Sequence, residues 1–335
     1  MFEKKIFLQN DQIAIVNNIN DINPLTESAD LIITDTNLKN YYNSLFSGKN
    51  VYVIPAGEKS KSLKTIEEIL SKMLETNCIR DSIILGVGGG VVCDITGFAS
   101  AIYMRGVRHS FIATSLLAQC DAAIGGKNGV NLNNVKNICG TFKQPENIFM
   151  PINMLKTLPG DEMANGMAEV LKTALVVDKE LFNAMAEYQG TDWKQDDEFL
   201  NYIVFRSALA KSEIVAKDEK DNTLRRILNF GHTFGHAIES TLSIPHGKAV
   251  AWGMVKAFEV SNRMGLIAKN LIAEIISVMD KFELTNEFEY DKDKIKEYFR
   301  KDKKRKSDII QFIALNDIGS AEIIDVHFSQ LDEIL

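Results

Sequence analysis

Ser82–Tyr103 reads SIILGVGGGVVCDITGFASAIY. The apolar run SIILGV (82–87) suits a buried strand, and VVCDITGFASAIY (91–103) has the period of a helix. Gly88, Gly89 and Gly90 stand between them. A strand, a glycine turn and a helix expose backbone N–H groups at the helix N-terminus, which favours a phosphate. The glycines do not follow the G-x-G-x-x-G spacing, so a nucleotide site competes with a plain tight turn. Asp94, in the first turn of the expected helix, belongs to such a nucleotide site or is simply a helix-dipole partner.

The same alternation extends outward. LIITD (31–35), VYVIP (51–55) and SFIAT (110–114) read as strands, and TIEEILSKMLE (65–75) as an amphipathic helix. Strands alternating with helices predict a Rossmann-like α/β fold, with a parallel sheet covered on both faces and ligands at the strands' carboxyl ends. From Pro159 the pattern becomes helical, through DEMANGMAEVLKTALVV, EFLNYIVFRSALAKSEIVAKDE, AVAWGMVKAFEVSNRMG and LIAEIISVMDKFE. We therefore expect an α/β domain over 1–158 and a mainly helical domain over 159–335, with IIQFIAL and AEIIDV (309–326) as a β-hairpin. At 335 residues, two domains are the natural division.

Composition narrows the function classes. The formal net charge of −7 argues against a general nucleic-acid binder. No apolar run approaches the ~20 residues that span a bilayer, and the start, MFEKKIFLQND, lacks the apolar core of a signal peptide. Cys78, Cys93, Cys120 and Cys139 lack metal-site spacing and read as reduced thiols of a cytoplasmic protein.

Four further stretches carry chemistry. RRILNFGHTFGHAIESTLSIPH (225–246) holds three of the five histidines. In one helix, Arg225, Asn229, His232 and His236 share a face, a polar stripe suited to a wet cavity, although satisfied core histidines are the plainer alternative. Gly231 and Gly235 would admit a ligand or a second backbone. AGEKSKS (56–62) offers Glu58 to a ribose and Lys61 to a phosphate, or is only a helix start near a Ser62 cap. CDAAIGGKNGVNLNNVKN (120–137) sets Asp121, Lys127, Lys136 and Asn137 in an expected long polar loop. Glu169 and Lys172 lie among apolar residues, where a buried glutamate needs a cation. Glu169, His232 and His246 together are a typical zinc set that leaves positions open for substrate or water.

Taken in order, GEKSK, GGGVVCD, YMRGVR, LLAQCDAAIGGK, LPGDEMANGMAEVLKTA, LRRILNFGHTFGHAIE, PHG and KDKK resemble the 3-dehydroquinate synthase family from about Gly57 to Lys304. The resemblance implies zinc, or cobalt, on Glu169, His232 and His246. It implies NAD on Gly57, Glu58, Lys61, Gly89, Gly90 and Asp94, with Thr114, Ser115, Lys127, Lys136 and Thr157. The substrate and catalytic positions would be Asp121, Lys127, Asn137, Lys172, Lys211, Arg225, Asn229, His236 and one of Lys303 or Lys304, Lys304 being the one taken here. Arg105 would reach the neighbouring subunit's site in a homodimer. The implied reaction takes a sugar phosphate, 3-deoxy-arabino-heptulosonate 7-phosphate, through transient oxidation by NAD, phosphate elimination, reduction and internal aldol closure.

The chain departs from the family pattern at several places. Asn128 stands where threonine is usual in Gly-Lys-Thr, and Asn133-Asn134-Val135-Lys136-Asn137 where Pro-Leu-Gly-Lys-Asn is usual. Lys248 replaces the glutamate that follows His-Gly, Cys93 a common glycine, and Ser115 a common threonine. A related cyclase, an iron-dependent alcohol dehydrogenase and a non-catalytic homologue are the competing readings. Lys211 and Arg225 count against a substrate without a carboxylate, and Glu169 against the aspartate and three histidines usual in the dehydrogenases.

Overall fold

The Ser82–Tyr103 stretch folds as its pattern predicts. In the computed structural model, which describes residues 4–8, 11–16, 23–133, 135–301 and 309–335, strand Ile83–Gly88 passes through Gly89 into helix Gly90–Ile102. In chain order, the elements up to residue 151 are β1 (Lys4–Leu8), β2 (Asp11–Val16), α1 (Asn23–Ser28), β3 (Leu31–Asp35), α2 (Thr36–Tyr41), β4 (Val51–Ile54), α3 (Leu63–Glu75), β5 (Ile83–Gly88), α4 (Gly90–Ile102), β6 (Arg108–Ala113), β7 (Lys127–Leu132), β8 (Val135–Phe142) and β9 (Asn147–Pro151).

Seven of these strands form one sheet in the order β1-β2-β9-β6-β5-β3-β4, parallel except for the β1–β2 pair. Its middle strands are apolar on both faces, as a parallel sheet covered by helices requires. Leu31, Ile33 and Ile84 face one core with Ile66, Ile69 and Met73 of α3 and Ile95 of α4. Ile32, Leu85, Val87 and Ile112 face the other with Phe46 and Met154. After β3 the chain continues to β4 at one edge, whereas after β5 it continues to β6 on the other side. The carboxyl ends of β3 and β5 therefore flank a topological switch point, where such sheets bind ligands. The glycine turn sits at the end of β5.

From Gly160 the chain continues through α5 (Gly160–Val177), α6 (Lys179–Glu187), α7 (Asp197–Lys217), α8 (His232–Leu242), α9 (His246–Arg263), α10 (Lys269–Lys281) and α11 (Lys292–Lys301). The expected hairpin follows as β10 (Ile309–Asp317) and β11 (Ser320–His327), then α12 (Phe328–Asp332). Two compact units result: Met1–Pro159 with Asp192–Lys220, and Gly160–Thr191 with Asp221–Leu335. This differs from a single cut after residue 158, because α7 packs with the first unit, where Lys211 donates to the backbone O of Asp121 at 2.6 Å. Among the described residues no helix is long and apolar enough to cross a membrane.

Two local expectations are corrected. The 120–137 stretch is not a long loop: after a π-helical turn at Ala118–Ala122 it forms most of the β7–β8 hairpin, whose strands are antiparallel. Alternation was concealed there by asparagines, and β8 exposes residues on both faces. Nor is 225–236 one helix. Leu224–Asn229 is a 3₁₀ turn, and α8 begins only at His232. Gly231 between them has φ 77°, a left-handed conformation that ends one element and redirects the chain into the next.

The other glycines of this region admit a backbone, not a ligand. A Cβ on Gly253 of α9 would lie 2.1 Å from the carbonyl oxygen of Gly231 and 2.7 Å from the nitrogen of Gly235. Helices α8 and α9 are thus in backbone contact, with Phe234, Ala237, Val250 and Met254 buried beside the crossing. Overpacking of a tight core costs about 1–3 kcal/mol, and here the obstruction is backbone that cannot rotate away. Gly253→Ala is expected to destabilise the second unit by at least that amount, read as a lower urea midpoint. An unchanged midpoint would show that the two helices are free to separate.

Candidate functional site

Helix α5 is buried along nearly its whole length, from Met163 to Val176, so Glu169 is almost wholly shielded from water. Its carboxyl is 1% exposed, and neither oxygen has a hydrogen-bond partner of ordinary geometry. Such a group demands cations. Lys172, one turn along, ion-pairs with it. The Nε2 atoms of His232 and His246 lie 3.7 Å and 3.4 Å from its Oε1. Burial alone would raise the Glu169 pKa, but the Lys172 charge and the two imidazoles outweigh it and hold the carboxyl well below its ordinary range.

His232 opens α8 and His246 opens α9, so both rings project from first turns rather than from helix interiors. The approach of α9 to α5 is fixed by Gly247. Its N–H donates to Asn165 Oδ1 at 3.0 Å, and a Cβ there would lie 2.4 Å from the Asn165 Cα. Asn165 is one turn before Glu169, so this contact sets the spacing between the carboxylate and His246. Nothing in the sequence pattern singled out Asn165.

The imidazoles are oriented from behind. His232 Nδ1 lies 3.1 Å from the backbone oxygen of Phe230. His246 Nδ1 lies 3.5 Å from Oε2 of Glu239, a buried residue of α8 that the sequence reading passed over. Each ring thereby turns Nε2 toward Glu169. Burial is the largest influence on both rings. It takes His232 down to about 3, whereas the neighbouring carboxylates of Glu169 and Glu239 overcome it at His246 and lift that ring to about 9. Glu169, His232 and His246 bring one ligand atom each within 4.8 Å of one another, as do His236, Glu239 and His246. One carboxylate and two neutral-capable imidazoles suit zinc or a similar divalent ion.

Elsewhere in this unit, Arg225 is buried in the 3₁₀ turn, whereas Asn229 and His236 are exposed. Lys303 and Lys304 lie outside the described residues. The Lys248 departure is answered locally, since its ammonium sits 3.0 Å from Asp161.

The first unit gathers a second set at the glycine turn. Gly89 precedes α4 without a side-chain cap, leaving first-turn N–H groups available to an anion. A Cβ on Gly90 would lie 3.1 Å from that of Ala122, so the turn is closely backed. Lys61 Nζ donates to Asp94 Oδ2 and to Asn137 Oδ1, each at 2.5 Å. Glu58 accepts from Asn131 Nδ2 at 2.8 Å, and Asn131 Oδ1 accepts from the Asn137 N–H at 2.8 Å. Asn131, a residue not anticipated, thus ties the 57–61 turn to the hairpin. Gly57 takes φ 102° in that turn, and Ser62 caps α3 as its plainer reading supposed.

Lys211 also donates to Asp121 Oδ1, at 2.8 Å. Thr114 and Ser115 are buried after β6, with Ser115 Oγ accepting from the Ala118 N–H. Thr157 pairs with the Tyr42 hydroxyl at 3.0 Å. Lys127, Lys136 and Arg105 are exposed, and Arg105 holds a left-handed φ of 69°. The Asn128 departure braces the hairpin base, its Nδ2 donating to the carbonyls of Gly126 and Lys143.

Known proteins resemble this chain in sequence and in fold. The family model described as 3-dehydroquinate synthase N-terminal matches residues 51–165, and that described as 3-dehydroquinate synthase C-terminal matches 166–305. The 3-dehydroquinate synthase of Campylobacter concisus (strain 13826) is 44% identical over 279 residues, covering 82% of this chain and 79% of that protein. Among solved structures, ValA (2-epi-5-epi-valiolone synthase) from Streptomyces hygroscopicus subsp. jinggangensis 5008, with NAD+ and Zn2+ bound, superposes with a TM-score of 0.88. It is 24% identical, with 99% of this chain and 97% of that one covered. A 2-deoxy-scyllo-inosose synthase complexed with carbaglucose-6-phosphate, NAD+ and Co2+ reaches a TM-score of 0.86 at 23% identity, with 99% and 98% coverage. At these identities the structural likeness speaks for the fold.

Two measurements test the site. His232→Ala is expected to lose stoichiometric zinc on dialysis, because two ligands hold the ion poorly. Retention of a full equivalent would remove His232 from the set. Burial, opposed by Lys61, raises the Asp94 carboxyl to about 6. Because its folded pKa exceeds the unfolded one, protonation favours folding, so this group's contribution to stability falls as pH rises through 6. Its carboxyl carbon resonance is expected to titrate near that pH. A midpoint at or below 4 would mean that the Lys61 pair dominates.

Proposed function

The chain belongs to the 3-dehydroquinate synthase family, and we propose that it acts as a phosphate-eliminating lyase that depends on NAD and a divalent metal. It converts 3-deoxy-arabino-heptulosonate 7-phosphate to 3-dehydroquinate and phosphate, a step of the shikimate pathway. The observation that carries the reading is the buried Glu169 carboxylate with two imidazole Nε2 atoms turned on it. Those three residues would hold zinc or cobalt, which supplies Lewis acidity to a substrate hydroxyl when bound. The glycine turn with Glu58, Lys61 and Asp94 would hold NAD, which supplies a reversible hydride acceptor when bound.

The chain's own residues do the rest. Lys172 offsets the charge of Glu169, so the carboxylate stays ionised and ready to bind a cation. Arg225, buried and planar, suits bidentate capture of the substrate carboxylate. Lys211, Lys127 and Asn137 offer donors to an anionic, hydroxyl-rich substrate, with Asp121 orienting Lys211. His236, exposed one turn beyond His232, would carry a proton. These cations would let an acidic protein recognise a substrate that carries both a carboxylate and a phosphate.

The protein is read as a cytoplasmic homodimer. No disulfide joins Cys78, Cys93, Cys120 or Cys139. Ile102 and Met104 by the end of α4, and Ile138 and Phe142 on one face of β8, leave apolar surface exposed for a second copy. Arg105, beside Met104, would accompany that surface toward the partner.

The deciding experiment mixes the zinc-loaded protein with the heptulosonate phosphate and NAD. Phosphate is expected to appear in step with substrate loss, without net NADH. Accumulating NADH would instead indicate a dehydrogenase, and inertness a non-catalytic homologue. Arg225→Ala is expected to raise KM at least tenfold, a change of about 1.4 kcal/mol. An unaltered KM would take Arg225 out of the substrate site.

A further inference from the structure

His246 presents two nitrogens to two carboxylates. Nε2 faces Glu169 at 3.4 Å, and Nδ1 faces Glu239 at 3.5 Å. The ring opens α9 directly after Pro245, with no helical turn before it to fix its rotation. An imidazole that ligates through Nε2 must keep its proton on Nδ1 and hold its plane still. At His232 that task falls to main chain, the carbonyl of Phe230, which no substitution removes. At His246 it falls to a side chain.

We propose that Glu239 is a positioning residue that holds the Nδ1–H of His246 and so commits its Nε2 to the metal set of Glu169 and His232. Glu239 lies two turns beyond His232 on α8 and is 7% exposed, so the carboxylate comes from the same helix that supplies a ligand. The proposal rests on the metal reading given above. It also explains the second ligand-like group, His236, Glu239 and His246. The two groups share His246, and a ring whose Nδ1 proton is held by Glu239 cannot offer that nitrogen to a second ion. Glu239 therefore acts as acceptor and not as ligand, and the centre takes a single ion. Residues behind metal-bound histidines typically change metal affinity 10- to 100-fold when removed.

The test is direct zinc binding to the full chain, by competition with a chromophoric chelator, beside the melting temperature of the metal-free protein. Wild type is expected to bind one equivalent. Glu239→Ala is expected to keep that stoichiometry with a Kd 10- to 100-fold weaker. Glu239→Gln retains an acceptor oxygen but loses the charge, and is expected to fall between the two. The visible spectrum of the cobalt(II) form should shift with the Ala variant more than with the Gln variant, which a purely structural role would not produce. Should the Ala variant melt below the assay temperature, the Gln variant decides, with at least threefold weaker binding expected. An unchanged Kd in whichever variant decides would overturn the proposal. So would a wild type that binds two equivalents and a variant that binds one, because Glu239 would then be a ligand. Failure of wild type to bind zinc at all would instead defeat the metal reading itself.

Discussion

A carboxylate almost wholly shielded from water, set in the middle of an apolar helix, governs the second unit. Ionised, Glu169 costs several kcal/mol to desolvate unless cations surround it. The neighbouring structure meets that demand: Lys172 comes from the same helix, and the two rings come from the first turns of α8 and α9. A stability-driven core would have used an apolar residue at this position. Retaining a charge whose oxygens lack ordinary hydrogen bonds makes sense when a cation is to be held there.

That requirement propagates into backbone packing. The rings converge only if α9 approaches both α5 and α8 closely, and glycines make each approach feasible. Gly247 lies against the backbone of Asn165, and Gly253 against that of Gly231 and Gly235. Gly231 adds the left-handed turn that places His232 at a helix start. Had 225–236 been one continuous helix, His232 would have lacked the Phe230 carbonyl behind its Nδ1. The interruption that defeats simple periodicity therefore serves the chemistry.

Legibility followed burial. The middle strands of the sheet are apolar on both sides, so LIITD and SIILGV announced themselves, and the glycine turn fell between elements whose periods differ. Glu169 was legible for the converse reason, being a charge in an apolar helix. The β7–β8 hairpin was not, because β8 is exposed on both faces and its asparagines resemble loop chemistry. The membership of α7 in the first unit was not, because periodicity identifies a helix but not its neighbours. Asn165 and Asn131 act through contacts 82 and 73 residues distant in the chain, which local pattern cannot reveal.

The charge reversal at position 248 tests how self-contained the second unit is. A lysine two residues after a candidate metal-ligand histidine would be expected to disfavour a cation. Lys248, however, points to Asp161, in an exposed pair whose net energetic contribution is small. The negative charge nearest the back of His246 comes instead from Glu239, on α8 and buried. Desolvation strengthens the buried contact, while water screens the exposed one. The ring should therefore respond to Glu239 far more than to whatever occupies position 248.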